Sequence, residues 1–331
     1  MSLAQGNSSG AAPAKRGGSL TILLRGILAL AVLALIGVSV GAALTPWVPA
    51  FVLLTPFAPQ VAVAALIAAV LGFLLGMRRL ALIPVALALW QGVLVMPFVW
   101  PAPAAATSGQ PLRVVSLNLW PLNPSPEQTV AYLQQSGADV IATVETGREW
   151  RERLEVLHAA YPYRADCGLT QYLCGVAIMS KLPFQSTFIG PARPGEIPVL
   201  VAVKVDWNGK PLTIAAVQVH NPRIGLLHGF QARHGDALSS YLADDHGDAV
   251  LMGDFNSVPW GPLQRELRAE TAFDNRGRLA FTWPSWAPAI FRIPIDQIFT
   301  AGALTVRNYR AGPPVGSDHL AVAADIYRTA P

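Results

Sequence analysis

AVLMGDFNSVP, residues 249–259, is an apolar run that stops at Gly-Asp-x-Asn. Residues 249–252 predict a buried strand, and Ser257–Pro259 predict the turn that ends its pairing. Side chains two residues apart on an extended chain point to the same face, so we expect Asp254 and Asn256 to present a carboxylate and an amide to one spot at a sheet edge. For an isolated pair of this kind, an Asx-type turn is the structural alternative.

Polar residues end apolar runs at several other points of the chain. Besides Asp254 and Asn256, they are Asn118, Glu145, His220, Asp296 and the pair Asp318 and His319. Each alone has an ordinary explanation as a solvated loop charge, a surface or core histidine, or a turn. Together they supply the oxygen ligands that a hard divalent ion prefers, and Asn118, Glu145 and Asp318 are the predicted ligands. The whole set predicts a metal-assisted phosphoester site.

The segment from residue 112 to residue 326 alternates short apolar runs with amphipathic stretches, which is typical of an α/β or α+β domain of about 220 residues. Helices are predicted at 127–135, with Ser125 as the cap, at 148–158 and at 227–242. Strands are predicted at 112–117, 140–144, around 163, 175–179, 184–189, 199–205, 212–219, 249–252, 281–282, 295–299, 304–309 and 320–326.

The first hundred residues predict three transmembrane helices. Ile27–Leu44 carries no charged residue and, with Leu20–Leu24, is long enough to cross roughly 30 Å of hydrocarbon. A second span lies within Phe51–Met77, and a third runs from Leu80 to Val99 with Pro84 tolerated inside it. A cleaved signal peptide is the alternative for the first span, but no small-residue cleavage site closes that run.

Positive charges predict the orientation of these spans. Lys15 and Arg16 precede the first span, and Arg78 and Arg79 separate the second from the third, whereas the loop around Trp47 carries no charge. The positive-inside rule therefore keeps the charged segments in the cytoplasm and puts everything after Val99 outside the cytoplasmic membrane. Cys167 and Cys174 both fall in this outer part, where an oxidising compartment would permit a disulfide, and two free thiols are the alternative.

Composition divides the chain into four predicted parts. Residues 1–19, rich in small and polar residues, are predicted to be a disordered cytoplasmic tail. Residues 20–100 hold the three transmembrane helices, residues 101–110 form a proline-rich linker, and residues 111–331 form the catalytic domain.

Charge distribution argues against a nucleic-acid-binding surface. The net charge of +4 comes from five basic residues before Arg113 and no acidic ones there. The remainder has 19 basic and 20 acidic residues, a net charge of −1. The outer domain therefore has no basic surplus with which to neutralise a phosphate backbone.

The order of the strand-end motifs carries a family resemblance. Asn118, Glu145, His220, Gly253-Asp254-Phe255-Asn256, Ile295-Asp296-Gln297 and Ser317-Asp318-His319 follow one another as they do in the endonuclease/exonuclease/phosphatase superfamily. This resemblance covers about residues 113–326. It implies an α+β fold, a four-layer α/β/β/α sandwich in which two mixed sheets lie face to face between helices. The layout with three transmembrane helices is similar to a membrane-anchored bacterial branch linked to glycopeptide resistance and thought to act on undecaprenyl pyrophosphate.

The resemblance also implies roles and a cofactor, Mg²⁺ or Mn²⁺. It makes Glu145 the principal metal ligand, with Asn118 and Asp318 beside the metal. Asp254 would deprotonate the attacking water next to Asn256, and Asp296 would hold His319 charged to stabilise the transition state. His220 would contact the phosphate or protonate the leaving oxygen. Trp120 stands where many nucleases of the superfamily have a second acidic residue, which puts a nuclease-like second metal in doubt.

Three functions follow as hypotheses. The first is a membrane-anchored hydrolase of a lipid or lipid-linked phosphate or pyrophosphate, favoured by the tether, the near-neutral domain and nearby aromatic residues that could contact an acyl or prenyl chain. These residues are Trp260, Trp283, Trp286 and Phe291, and core packing is the alternative for each Trp. The second is an extracytoplasmic endo- or exonuclease, favoured by Arg276, Arg278 and Arg292 near Asp296. The third is an inactive domain that serves as a binding module, which the intact set of site residues disfavours. The predicted partners are the lipid bilayer and a phosphate-bearing substrate, and the sequence implies no protein partner.

Overall fold

The computed structural model describes residues 16–100, 105–169, 175–190, 200–223, 230–243 and 247–330. The predictions about the tail before Arg16, the start of the linker and Cys174 concern residues outside these ranges. Cys167 is buried and disulfide-bonded, in agreement with the first of the two alternatives for the cysteines.

Three apolar helices precede the globular domain. They are α1 (Arg16–Ala43), α2 (Ala58–Leu74) and α3 (Arg78–Val99), and a 3-10 helix over Pro49–Phe57 leads into α2. Each of the three spans is long and apolar enough to cross a membrane, as predicted, so the protein is membrane-associated. Helix α1 begins at Arg16, before the apolar run that starts at Leu20, so it includes the last residues of the segment predicted to be a tail.

Two mixed sheets form the middle of the domain. The strands are β1 (Thr107–Asn118), β2 (Val140–Val144), β3 (Tyr163–Asp166), β4 (Ala177–Ser180), β5 (Phe184–Gly190), β6 (Leu200–Trp207), β7 (Lys210–Gln218), β8 (Ala249–Asp254), β9 (Asp296–Ala301), β10 (Leu304–Ala311) and β11 (Val322–Thr329). The six-stranded sheet has the order β10-β11-β1-β2-β4-β3, and the five-stranded sheet has the order β5-β6-β7-β8-β9. Parallel pairing of β1 with β2 and of β7 with β8 brings the carboxyl ends of these four strands to one end of the sandwich.

Helices cover the outer face of each sheet. Helices α4 (Pro126–Gln135) and α5 (Arg148–Arg153) pack on the first sheet through Leu133 and Trp150. Helices α6 (Phe230–Leu242) and α7 (Pro262–Glu270) pack on the second sheet. This arrangement confirms the predicted four-layer α/β/β/α sandwich.

Alternation along β8 shows why the opening stretch is apolar on every residue. Val250 and Met252 point into the core between the two sheets, whereas Leu251 points into the core under α6 and α7. A strand buried on both faces needs a continuous apolar run, and its polar residues can appear only where it ends.

Several local predictions differ from the structure. Residues 107–110, predicted as the end of the linker, belong to β1. Phe281 and Thr282 form no strand, because β-pairing in this segment is limited to a single antiparallel bridge between Trp283 and Ile293 and the next residue, Pro284, has no backbone N–H to extend it. The helix predicted over 148–158 ends at Arg153 and continues as a 3-10 turn. Helix α7 was not predicted, although Pro262 at its first position is a recognised start signal.

The globular domain packs directly on the membrane helices. Val95 and Phe98 of α3 and Ala58 of α2 share an apolar cluster with Val258 and Trp260, which follow β8. The Trp260 indole N–H donates a buried 2.7 Å hydrogen bond to the carbonyl oxygen of Thr55. The end of the domain that carries the strand ends therefore lies against the helix bundle.

Candidate active site

The predicted residues converge at the shared ends of the two sheets. In the strand registers, Asn118 is opposite Val144, the last residue before Glu145, and Asp254 is opposite Asp296 across the β8–β9 pair. Asn118, Asp254, Asp296 and His319 are buried. The parallel strand pairs place Asn118 and Asp254, whereas Asp296 begins β9, which is antiparallel to β8, and His319 lies shortly before β11, which is antiparallel to β1. The structure thus brings together residues that lie up to two hundred positions apart in the chain.

Asn118 links the two sheets through its side-chain amide. Its Nδ2 donates to Glu145 Oε1 at 2.9 Å and to Asp254 Oδ2 at 3.1 Å. Glu145 Oε1 also accepts a 3.2 Å hydrogen bond from Gln218 Nε2. Asn118 Oδ1 accepts from the Trp120 N–H at 3.0 Å and, as a carbonyl oxygen, retains a second lone pair. The amide therefore fixes the orientation of both carboxylates.

Asp254 and Asn256 form an Asx-type turn and also face the same spot. The Asn256 N–H donates to Asp254 Oδ1 at 2.8 Å, while Asn256 Nδ2 donates to Asp254 Oδ2 at 3.1 Å. Asn256 adopts a left-handed backbone with φ 47°, so the two side chains meet through a turn and not through the extended chain that the sequence suggested. The two alternatives for this pair are both present in one structure.

His319 lies among three carboxylates. Its Nδ1 is 2.9 Å from Asp296 Oδ2, which also accepts a 2.6 Å hydrogen bond from the Thr282 hydroxyl. Its Nε2 lies 3.9 Å from Asp254 Oδ2 and 4.0 Å from Asp318 Oδ1. The ring is therefore oriented by Asp296 and points its second nitrogen toward the centre of the site.

These neighbours shift two pKa values. Burial alone would lower the pKa of His319, but the charges of Asp296 and Asp254 and the hydrogen bond to Asp296 raise it to about 10. Burial raises the pKa of Asp254 to about 7, with the His319 charge opposing that rise and Asp296 adding to it. At neutral pH the imidazole is positively charged, and Asp254 is close to its titration point.

One carboxylate oxygen of Asp318 accepts a hydrogen bond, and the other accepts none from the described residues. Its Oδ2 accepts a 3.1 Å hydrogen bond from the Trp283 indole, whereas its Oδ1 is buried and makes no hydrogen bond to any described residue. A buried carboxylate oxygen left without a donor is costly unless a cation or water binds it. This oxygen, beside Glu145 in the same cavity, fits a divalent metal ligand set.

A second group also has metal-ligating atoms close together. One ligand atom each of Asp254, Asp296 and His319 lie within 4.8 Å of one another. However, Nδ1 of His319 and Oδ2 of Asp296 already bond each other, so this trio has the geometry of an internal ion pair.

A cavity of about 760 Å³ joins these residues to the membrane part. Glu145, His220, Asp254, Asn256 and Asp318 line it, and burial lowers the pKa of the His220 imidazole. The cavity is also lined by residues that the sequence did not identify as site residues. Among them are Gln218, Arg223, Trp120, Leu122 and five residues of the 3-10 helix over Pro49–Phe57. Gln218 follows the apolar run of β7 and so carried the same strand-end signal as the predicted residues.

Comparisons with known proteins agree with this fold. The model of the endonuclease/exonuclease/phosphatase family matches residues 115–319. A family member from Bacteroides vulgatus has a TM-score of 0.54 and 14% identity, covering 66% of this chain and 100% of its own. A humanized D. rerio TDP2 has a TM-score of 0.53 and 15% identity, covering 66% and 99%. A family member from Beutenbergia cavernae has a TM-score of 0.52 and 20% identity, covering 66% and 72%. The comparison with curated proteins finds no significant match.

The four-layer sandwich and its polar cluster define a metal-dependent phosphoesterase. The match extends over most of the chain, and the protein belongs to the endonuclease/exonuclease/phosphatase family. The family resemblance inferred from the strand-end motifs is confirmed, and so is the assignment as a phosphoric ester hydrolase. The three apolar helices lie outside the matched region and fit a membrane-anchored branch.

Proposed function

We propose that the protein is a membrane-anchored, Mg²⁺- or Mn²⁺-dependent hydrolase of a lipid or lipid-linked phosphate or pyrophosphate. It acts outside the cytoplasmic membrane. The observation that carries this proposal is the docking of the catalytic end of the sandwich on one end of the bundle of membrane helices. Besides the Trp260–Thr55 bond, the Gly277 N–H donates to the Pro97 carbonyl at 2.9 Å, and Gln60 Nε2 donates to the Ile290 carbonyl at 3.1 Å.

The proposed metal ligands are Glu145, Asn118 and Asp318. Carboxylate and amide oxygens are the ligands of Mg²⁺ and Mn²⁺, and Asp318 Oδ1 accepts no hydrogen bond from the described residues, with His319 Nε2 4.0 Å away. A metal bound there would polarise a phosphoryl oxygen and offset the negative charge that develops during hydrolysis.

The chain's own groups would carry the proton transfer and positioning. Asp254, close to its titration point, takes a proton from the attacking water, and Asn256 holds its carboxylate in place. His319, kept charged by Asp296, stabilises the charge on the phosphoryl oxygens. His220 contacts the phosphate or protonates the leaving oxygen. The displacement is inline and passes through no covalent enzyme intermediate.

Two of the three arginines that favoured the nuclease alternative have other partners, whereas the third, Arg276, has an exposed side chain that lies 3.7 Å from Asp274 Oδ1. Arg278 donates to the Asp274 carbonyl and the Thr300 hydroxyl, and Arg292 donates to the carbonyls of Ala287 and Ser285. Guanidinium groups engaged in this way hold loops together and are not available to a phosphate backbone. Together with the net charge of −1, this supports a lipid-linked substrate over a nucleic acid.

One assay separates the candidate substrates. Full-length protein in detergent, with Mg²⁺ or Mn²⁺, is given a prenyl pyrophosphate, sphingomyelin and plasmid DNA in parallel, and Asp254→Ala serves as the inactive control. We expect metal-dependent release of phosphate or headgroup from a lipid and little cleavage of DNA. Efficient DNA cleavage would support the nuclease alternative, and loss of all hydrolysis would contradict the phosphoesterase.

A further inference from the structure

We infer that the 3-10 helix over Pro49–Phe57 is the part of the substrate site that binds the hydrocarbon chain. The membrane part would then determine specificity as well as anchor the enzyme. This inference rests on the proposed function, since it assigns the apolar half of the same cavity. It concerns residues outside the region that matches the family.

The cavity has a polar end and an apolar end. The polar end holds the carboxylates and His319. The apolar end includes four side chains of the 3-10 helix, Val52, Leu53, Pro56 and Phe57. Residues 49–57 contain no charged side chain, and the hydroxyl of Thr55 donates to the Val52 carbonyl within the same segment. The segment therefore offers hydrocarbon contacts and no side-chain charge to recognise a headgroup.

We call the side chains of Val52, Leu53, Pro56 and Phe57 the chain-binding wall. The length of α2 places this wall at the depth of the lipid chains. Helix α2 has 17 residues, which corresponds to about 26 Å at 1.5 Å per residue. The hydrocarbon core of a bilayer is about 30 Å thick, so the residues just before α2 complete the crossing. Pro56 and Phe57 thus lie where acyl or prenyl chains of the outer leaflet begin. A lipid whose phosphate reaches the catalytic carboxylates would lay its first methylenes against them.

Contacts from the catalytic domain hold the wall in place. The buried indole of Trp260 donates to the Thr55 carbonyl, and its ring centroid lies 6.2 Å from that of Phe98 on α3. The Arg268 guanidinium lies over the Phe98 ring at 4.8 Å from its centroid. Trp260 does not line the cavity itself, so it is a positioning residue for the chain-binding wall.

Chain-length dependence tests the inference without hydrolysis. Alkyl phosphonates of two to twelve carbons, which resist hydrolysis, are titrated into full-length protein in nanodiscs with Mn²⁺. In the wild type we expect affinity to rise about two- to fourfold for each added methylene until the wall is covered, because each methylene leaves water. Leu53→Ala combined with Phe57→Ala should flatten this rise and weaken binding of the longest chain at least about tenfold.

Leu54→Ala is the matched control. Leu53→Ala is also measured alone, and Leu54→Ala removes the same number of carbons as that single variant, but Leu54 packs near Gly41 and lines a smaller cavity between the helices. We expect its chain-length series to follow the wild type. A Leu53→Ala, Phe57→Ala variant whose series also follows the wild type would overturn the inference, and so would equal affinity for all chains in the wild type.

Hydrolysis distinguishes failure of the inference from failure of the proposed function. If the wild type shows a chain-length dependence that Leu53→Ala with Phe57→Ala removes, but hydrolyses no phosphoester, the chain-binding wall stands and the proposed activity is wrong. Trp260→Phe keeps the aromatic packing and removes the N–H donor. We expect it to raise KM for a lipid phosphate about tenfold with little change in kcat, whereas a general folding defect would lower the active fraction and kcat on all substrates.

Discussion

The 2.9 Å bond between Asp296 and His319 makes the activity depend on pH in a defined direction. In the proposed mechanism His319 acts as a cation, so activity is present below its pKa of about 10 and is lost above it. Asp254 acts as a base, so activity is lost as pH falls below its pKa of about 7, and a bound cation would move this limb to lower pH. The result is a bell-shaped pH profile.

Asp296→Asn tests the alkaline limb. Removing the Asp296 charge lowers the pKa of His319, so the loss of activity should begin at lower pH, and kcat at the optimum should fall about 10- to 100-fold. The measurement is kcat against pH for the wild type and the variant. An alkaline limb at the same pH in both proteins would show that His319 does not act as the charged group.

Asp318→Asn tests the metal site. The substitution removes the negative charge of the carboxylate, whose Oδ1 accepts no hydrogen bond from the described residues. The amide that replaces it has the same size, and its oxygen is a weaker ligand for a metal. We expect the Mn²⁺ concentration for half-maximal activity to rise about 10- to 100-fold, with activity recovered at high metal concentration. Trp283→Phe, which removes only the donor to Oδ2, should have a smaller effect on metal affinity. Equal metal dependence in Asp318→Asn and the wild type would exclude Asp318 as a ligand.

Single residues differ in how far their roles can be read from sequence. Asp254 could be predicted because it ends the apolar run of β8. Asp296 and His319 were also predicted as residues that end strands, but Asp296 begins β9 and His319 lies shortly before β11. The link between Asn118 and Asp254 depends on how the two sheets face each other, which no local pattern records. Likewise, the sequence predicted that Asp254 and Asn256 lie close together on an extended chain. The two side chains are close, but because Asn256 has a left-handed backbone that forms a turn.

Gly253 is the element-level requirement of β8. Its φ of +147° is open to glycine, and a Cβ there would collide with the carbonyl oxygen of Val217 on β7. Gly253→Ala should therefore destabilise the domain by about 3 kcal/mol and displace Asp254. Gly147→Ala is the control, because its Cβ would meet nothing within 4 Å. Thermal unfolding of the two variants in detergent checks this, and equal midpoints would contradict the steric argument.

Elements with a strong pattern could be predicted, and weakly patterned ones could not. The strand over Val140–Val144 has the predicted bounds because it is continuously apolar and buried. Helix α7 was missed since its sequence, PLQRELRAE, has only two apolar anchors among its residues, Leu263 and Leu267. The strand expected at Phe281 and Thr282 is reduced to a single bridge between Trp283 and Ile293, because Pro284 follows at once and cannot donate a ladder hydrogen bond.

At the scale of the whole molecule, the sequence separates a membrane part from a globular part but does not reveal their contact. Trp260 and Thr55, which are joined by a buried hydrogen bond, lie 205 positions apart. From the sequence, Trp260 suggested core packing or a lipid contact. In the structure its indole joins the globular domain to the membrane part. That contact makes the membrane helices part of the cavity wall.

Orientation is the remaining property of the whole molecule, and the two ends of the helix bundle differ in charge. Arg25, Arg78 and Arg79 lie toward the end opposite the catalytic domain, and Arg25 donates to the Leu75 carbonyl there. The positive-inside rule places that end in the cytoplasm. A C-terminal alkaline phosphatase fusion should therefore be active, while a C-terminal green fluorescent protein fusion should stay dark. Replacing Arg78 and Arg79 by Glu weakens the bias and should reduce the phosphatase signal. A fluorescent fusion of the wild type would place the catalytic domain in the cytoplasm and remove outer-leaflet lipids as its substrates.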